Sequence, residues 1–126
     1  MDSLTPTEEK IMQVIWDLEQ CVVKEIIDQL LPPPPPYSTI SSVVRILEKK
    51  GFVGHKAYGR TYQYYPLISK ETYRKFSFRK MMSAYFDGSY QQMVSFLVKE
   101  ESIDKEEFQH LLDLIDEDEH RKNSPS

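Results

Sequence analysis

Residues 32–36 are five consecutive prolines. Each fixes its own φ, lacks a backbone N–H and pushes the residue before it out of helical geometry. No helix can run through the segment. A helix before it must end at about Leu31, and the chain beyond it must start a new element. The run reads as a stiff polyproline II spacer between two helices. Such runs also serve as docking peptides for SH3-like domains, but no flanking recognition pattern accompanies this one.

Upstream of the prolines, "LTPTEEKIMQVIWDL" opens a helix. Thr5 can cap it, Pro6 suits the first helical position, and Glu8 completes a capping box. Ile11, Ile15 and Leu18 recur at helical spacing, with Met12, Val14 and Trp16 beside them. A second helix is expected over residues 23–31. Val23, Ile26, Ile27, Leu30 and Leu31 are its apolar residues, and Lys24, Glu25 and Asp28 face out.

A third helix begins near Ser38. Ile40, Val43, Val44 and Leu47 form a buried stripe at i, i+3, i+4 and i+7. The other side carries Ser38, Thr39, Ser41, Ser42, Arg45 and Lys49, and Gly51 ends the helix. Two strands, over 52–57 and 61–66, then flank the turn Tyr58-Gly59-Arg60, where Gly59 supplies a positive φ. Three helices followed by a hairpin make a winged helix, a variant of helix-turn-helix.

From Ser69 the character changes. A helix over 70–87 carries Tyr73, Phe76, Met81, Tyr85 and Phe86, and Gly88-Ser89 breaks it. "YQQMVSFLVKEE" makes another, with Met93, Val94, Phe96 and Leu97 apolar. Asp104 and Glu107 frame a capping box for a last helix with Phe108, Leu111, Leu112 and Ile115 on one face. Three short helices of this size rarely bury enough surface alone, and a two-fold partner would cover their apolar faces. The expected architecture is mainly α with a small β-hairpin. Residues 1–68 form a winged-helix DNA-binding domain. Residues 69–126 form a helical dimerisation domain whose tail, "HRKNSPS", frays.

Charge points to where the chain would work. The net charge is -4, yet residues 37–64 hold Arg45, Lys49, Lys50, Lys56 and Arg60 against Glu48 alone. Residues 99–119 are strongly acidic. A basic patch says more about a polyanionic partner than the overall charge does. An α-helix fits the major groove of B-DNA, and hydroxyls and arginines read base edges there. The candidate DNA-binding residues are therefore Ser38, Thr39, Ser41, Ser42, Arg45 and Lys49 on the helix, with Lys56, Tyr58 and Arg60 on the hairpin. Arg45 suits a bidentate contact to guanine, and Arg60 suits the backbone or the adjacent minor groove. The competing reading is a winged-helix adaptor that binds protein.

Catalysis finds little support. His55, His110 and His120 are scattered, with no Ser/His/Asp or Cys/His grouping. His110 and Asp113 lie three apart on a helix, a spacing that suits a metal but more ordinarily a solvated pair. The single cysteine, Cys21, rules out an intrachain disulfide and a Cys-rich zinc site, and both it and Trp16 read as core. No cofactor or metal is expected. No apolar run reaches the ~18 residues a membrane helix needs. The opening "MDSLTPTEEK" lacks a cationic region before an apolar stretch, so the cytoplasm is the expected compartment.

The segments "LTPTEEKIMQVIWDL", "VKEIIDQL", "YSTISSVVRILEKKGFVGHKAYGRTYQYYPLISKETY" and "DGSYQQMVSFLVKEESIDKEEFQHLLDLID" together resemble the penicillinase-repressor family of winged-helix transcriptional regulators. The resemblance spans residues 4–117 in order. It implies a homodimeric repressor that binds palindromic double-stranded operator DNA. The winged helix would meet the operator, and the C-terminal helices would hold the dimer. Candidate dimerisation residues are Tyr73, Phe76, Met93, Phe96, Leu97, Phe108, Leu111, Leu112 and Ile115. In the β-lactam branch of the family a membrane sensor-protease system triggers cleavage before a Phe of the middle helix, a place that Ser95 and Phe96 occupy here. Three departures stand out. Ser95 replaces the usual Asn, Val22 stands where the family often has Thr, and the cysteine-rich motif of the copper-responsive branch is absent.

Overall fold

The computed structural model describes residues 1–100, 104–110 and 112–114. The elements are α1 (Pro6–Leu18), α2 (Val23–Asp28), α3 (Tyr37–Lys49), β1 (Val53–Tyr58), β2 (Thr61–Pro66), α4 (Lys70–Phe86) and α5 (Tyr90–Glu100). Residues 105–110 and 112–114 are also helical. The fold is mainly helical with one two-stranded antiparallel hairpin, a winged helix followed by further helices.

The chain forms two compact units, Met1–Phe78 and a second beginning at Arg79. In the first, α1 starts on a complete capping box. Thr5 Oγ1 accepts from the Glu8 N–H at 3.2 Å, and the Glu8 carboxylate accepts from the Thr5 N–H at 2.9 Å. Ile11, Met12 and Ile15 of α1 meet Val23 and Ile26 of α2 and Ile40, Val44 and Leu47 of α3. Phe52, Val53 and Tyr64 of the hairpin region close this core. Burying each large apolar side chain here contributes about 1.5–3 kcal/mol.

Helix α2 ends earlier than its apolar pattern suggests. It stops at Asp28, and the Gln29 and Leu30 N–H groups tighten onto the Ile26 and Ile27 carbonyls at 3.0 Å. Leu31 leaves the core altogether and is 84% exposed. Pro32 cannot donate to the Asp28 carbonyl and would clash with it in a helix, and Leu31 before it is held extended, so the helix does not continue past Asp28. Val22 brings no side-chain cap to α2, but Glu25 supplies half a box by accepting from the Val22 N–H at 2.9 Å.

β1 starts at Val53 rather than Phe52. The Phe52 N–H is committed to the Leu47 carbonyl at 2.9 Å as the chain leaves α3, and its carbonyl accepts from Leu67 at 2.8 Å. The hairpin register runs from Val53↔Pro66 to Tyr58↔Thr61, leaving Gly59 and Arg60 as a two-residue loop. Gly59 has φ 63 at the first loop position, where a II′ turn takes glycine. On its other side β2 pairs with the α1–α2 linker. Cys21 N–H donates to the Tyr64 carbonyl at 2.9 Å, and Tyr64 N–H to the Cys21 carbonyl at 2.7 Å.

The first turns of α4 belong to the winged-helix unit. Trp16 Nε1–H donates to the Ile68 carbonyl at 2.9 Å and pins the chain as it enters α4. Tyr73 is only 7% exposed. Its ring lies 5.7 Å from Trp16 and 5.6 Å from Phe52, and its hydroxyl accepts from the Leu4 N–H at 3.4 Å. Phe76 packs 6.2 Å from Tyr73. Tyr73 and Phe76, candidate dimerisation residues, pack here with the core of the winged-helix unit. The division between the two compact units falls inside α4, at Phe78/Arg79.

In the second unit, Asp87 (φ 50) and Gly88 (φ 74) turn the chain out of α4, and the Gly88 N–H reaches the Met82 carbonyl at 2.9 Å. Ser89 Oγ caps α5 by accepting from the Gln92 N–H at 3.2 Å. Phe86 and Phe96 pack with ring centroids 5.6 Å apart. Asp104 accepts from the Glu107 N–H at 2.7 Å, as a cap should. No helix among the described residues is long and apolar enough to cross a membrane.

Candidate nucleic-acid interface

Helix α3 presents its buried stripe, Ile40, Val44 and Leu47, to the core. Helical geometry then sends Ser38, Ser42, Arg45 and Lys49 outward as one exposed row. Thr39 is exposed on one flank, and Ser41 is half-buried on the other. Small hydroxyls on such a row let a helix backbone approach a groove closely. The N-cap residue of α3 is Pro36, which offers no side-chain cap. The Thr39 and Ile40 N–H groups turn back to the Pro36 carbonyl at 3.1 and 3.3 Å, and the positive end of the helix dipole at this terminus favours anions.

Ser41 and Arg45 form one wall of a groove of about 440 Å³ between α3 and the wing. Arg60, Thr61, Tyr62 and Tyr64 form the opposite wall, and Val22, Val23 and Lys24 of the α2 end close it. Tyr37 also lines it and is 60% exposed. The structure thus brings Ser41, Arg45 and Arg60 together as the sequence suggests. It adds Lys24, Tyr37 and Tyr62, which sequence reasoning misses. Lys24 reads as an ordinary outward lysine of a short helix, and only the backbone pairing of Cys21 with Tyr64 carries it to the wing.

Lys56 stands apart from this groove. It pairs with Gln63 across the hairpin, lies 6.0 Å from the Tyr65 ring centroid, and lines a separate hollow with Leu18, Gln63 and Tyr65. The alternation of strand faces separates it from Tyr62 and Tyr64. Tyr58 is exposed at the hairpin tip.

Charge pairing divides the cations of this region. Lys50 bonds the buried Glu8 carboxylate at 2.7 Å, so it serves the core and not the basic face. Burial opposes the Glu8 charge, but Lys50 and the Thr5 hydrogen bonds outweigh it and hold the carboxyl below the usual glutamate value. Glu48, the one acid of residues 37–64, is bound by His55 Nδ1. Among the described residues Arg45, Lys49 and Arg60 have no carboxylate partner. Burial, then the Glu48 charge, pushes the Tyr64 hydroxyl above its ordinary value. Burial followed by Glu25 pushes the Cys21 thiol up to about 11, which makes it a core thiol and not a reactive one.

The second unit holds a different surface. Met93, Phe96 and Leu97 of α5, with Met81, Tyr85 and Phe86 of α4, line an apolar hollow of about 470 Å³. Phe96 is 43% exposed, and Ser95 beside it is exposed within helical α5. Phe108 is half-buried and Leu112 exposed. Leu111, Ile115 and the tail "HRKNSPS" lie outside the described residues. His110 and Asp113 are both exposed; Asp113 instead accepts from Gln109 at 3.0 Å, and no group of metal-binding residues occurs among the described residues.

Residues 4–117 match the family model described as Penicillinase repressor. A penicillinase repressor of Bacillus licheniformis is 25% identical over 120 residues, covering 94% of each chain. The methicillin resistance regulatory protein MecI of Staphylococcus aureus (strain N315) is 21% identical over 113 residues, 89% of this chain and 92% of that one. The MecI protein of Mammaliicoccus sciuri is also 21% identical over 113 residues.

Proposed function

The chain belongs to the penicillinase repressor family, a family of transcriptional regulators and not of enzymes, and from that premise we propose how it represses. It acts as a homodimer on palindromic operator DNA. Each α3 lies in the major groove, with Ser38, Ser42, Arg45 and Lys49 toward the bases and phosphates and Arg45 as the guanine reader. Each wing lies along the backbone, where Arg60 enters the adjacent minor groove and Tyr58 and Lys56 flank it. The observation that carries this reading is the set Arg45, Lys49 and Arg60, on α3 and across its groove, none with a carboxylate partner among the described residues. The fold engages the nearby acid and withdraws Lys50, yet leaves these three to an outside anion.

The apolar hollow around Phe96 is the surface that a second copy covers. Two-fold pairing places two α3 helices on successive turns of one duplex face, about 34 Å or a multiple apart. Binding both half-sites at once multiplies affinity through effective concentration. Relief of repression comes from cleavage between Ser95 and Phe96, signalled by a membrane sensor-protease system. That bond lies inside helical α5, so cutting it requires the helix to open locally. The protein works where its DNA is, in the cytoplasm.

Selection from a random-sequence duplex pool tests the proposal and identifies the operator in the same step. The expected product is an inverted repeat with half-site centres a whole number of helical turns apart. Recovery of no enriched sequence would contradict it and favour a protein partner for the winged helix.

A further inference from the structure

The groove between α3 and the wing works only if its two walls keep their spacing. A lone two-stranded hairpin is marginally stable and sets no angle by itself. One side of this wing is tied by backbone, since β2 pairs with Cys21 at Tyr64. β1 is the other, outer edge of that small sheet. At the same level as Tyr64, β1 places His55, whose Nδ1 meets the Glu48 carboxylate of α3. The His55 ring also stacks on Tyr62 of β2, centroids 4.4 Å apart and planes 27° from parallel. Tyr62 lines the groove together with Arg60 and Arg45. Glu48, His55 and Tyr62 therefore form a continuous contact from the reading helix into the wing.

We infer that His55 is a positioning residue for DNA binding: it joins Glu48 of α3 to Tyr62 of the wing and so fixes Arg60 opposite Arg45. The inference rests on reading this groove as the DNA-binding one. A carboxylate accepts only, so Nδ1 carries the hydrogen and Nε2 is left as the second ring nitrogen. The same bond occupies Glu48, the one carboxylate of residues 37–64, beside a face meant for phosphates. Losing the imidazole releases the wing from α3.

The test is a coupling measurement on the full chain, with a fluorescein-labelled duplex carrying the promoter region upstream of its own gene. R60A and R45A are titrated alone and in the H55A background, at one salt concentration. In the wild-type background R60A is expected to weaken binding at least fivefold. With H55A present that cost falls below twofold, while the cost of R45A stays the same in both backgrounds. H55Q, whose amide can again donate to Glu48, restores the cost of R60A. A general loss of structure would reduce both arginine effects alike. If H55A fails to fold by circular dichroism, Y62A, at an exposed ring, makes the same comparison and is expected to give the same selective loss. An undiminished R60A effect in the altered background overturns the brace alone. An R60A change that costs nothing in the wild-type background overturns both the brace and the role of the wing in binding DNA.

Discussion

Lys50 shows what a count of residues cannot settle. In the sequence it is one more cation of a basic segment; in the structure it is the partner of Glu8, a buried carboxylate 42 residues away. No local pattern links the two. The capping role of Glu8 is legible because it depends on a three-residue spacing to Thr5; its ion pair is not, because it depends on how α1 packs beside the end of α3. The pair matters more than the exposed Glu71–Lys75 contact at 3.8 Å, since exposed pairs contribute little. Glu8 is held below the usual glutamate value, so the unfolded chain binds its proton more readily than the folded one. Its stabilising contribution is complete above the unfolded value and is lost as pH falls through the lower folded one. Glu8→Gln should therefore lower the melting temperature at pH 7, with the gap to wild type narrowing as the pH falls below the ordinary glutamate value. Thermal melts across that range check it, and a gap independent of pH would show that the charge of Glu8 contributes nothing.

Helix starts are the most legible elements. Thr5 and Asp104, the expected caps, each accept a hydrogen bond from the backbone N–H three residues on, and Ser69 and Ser89, not singled out in the sequence, do the same. The two helices of the helix-turn-helix, α2 and α3, have instead Val22 and Pro36 at the N-cap, with no side-chain cap. Packing against α1 and the wing carries them where local signals do not. The end of α2 is hard to place because Leu30 and Leu31 continue an apolar pattern that the prolines prevent from being helical. Tyr73 is hard to place for a related reason: periodicity marks a face as apolar but does not say which neighbour covers it. The hairpin turn is legible because only glycine takes its φ without strain. Gly59→Val should cost about 1–2 kcal/mol, from the left-handed backbone conformation alone, because no neighbouring atom would crowd the added Cβ. Urea denaturation measures it, and an unchanged midpoint would mean the hairpin re-forms with another turn.

At the scale of the molecule, the sequence places a basic segment ahead of apolar helices, and the structure forms two compact units that divide inside α4. What it does not supply is the joint between α3, the wing and the start of α2, where residues from Val22 to Tyr64 form one groove. The apolar hollow around Phe96 belongs to the second unit and is the face proposed to meet a second copy. Phe96→Asp should give a monomer in sedimentation velocity with its helical circular dichroism retained, and an unaltered dimer would place the interface elsewhere. The central claim is that α3 and the wing read DNA, and salt-resolved fluorescence anisotropy tests it most directly. Wild type, R45A and R60A would be titrated against the promoter upstream of the protein's own gene and against a scrambled duplex, at two salt concentrations. The account predicts tight, selective and salt-sensitive binding by wild type. R45A should lose selectivity, at about 1–3 kcal/mol per lost guanine contact, and R60A should weaken both duplexes and reduce the salt dependence. Equal binding of both duplexes by all three proteins would contradict it.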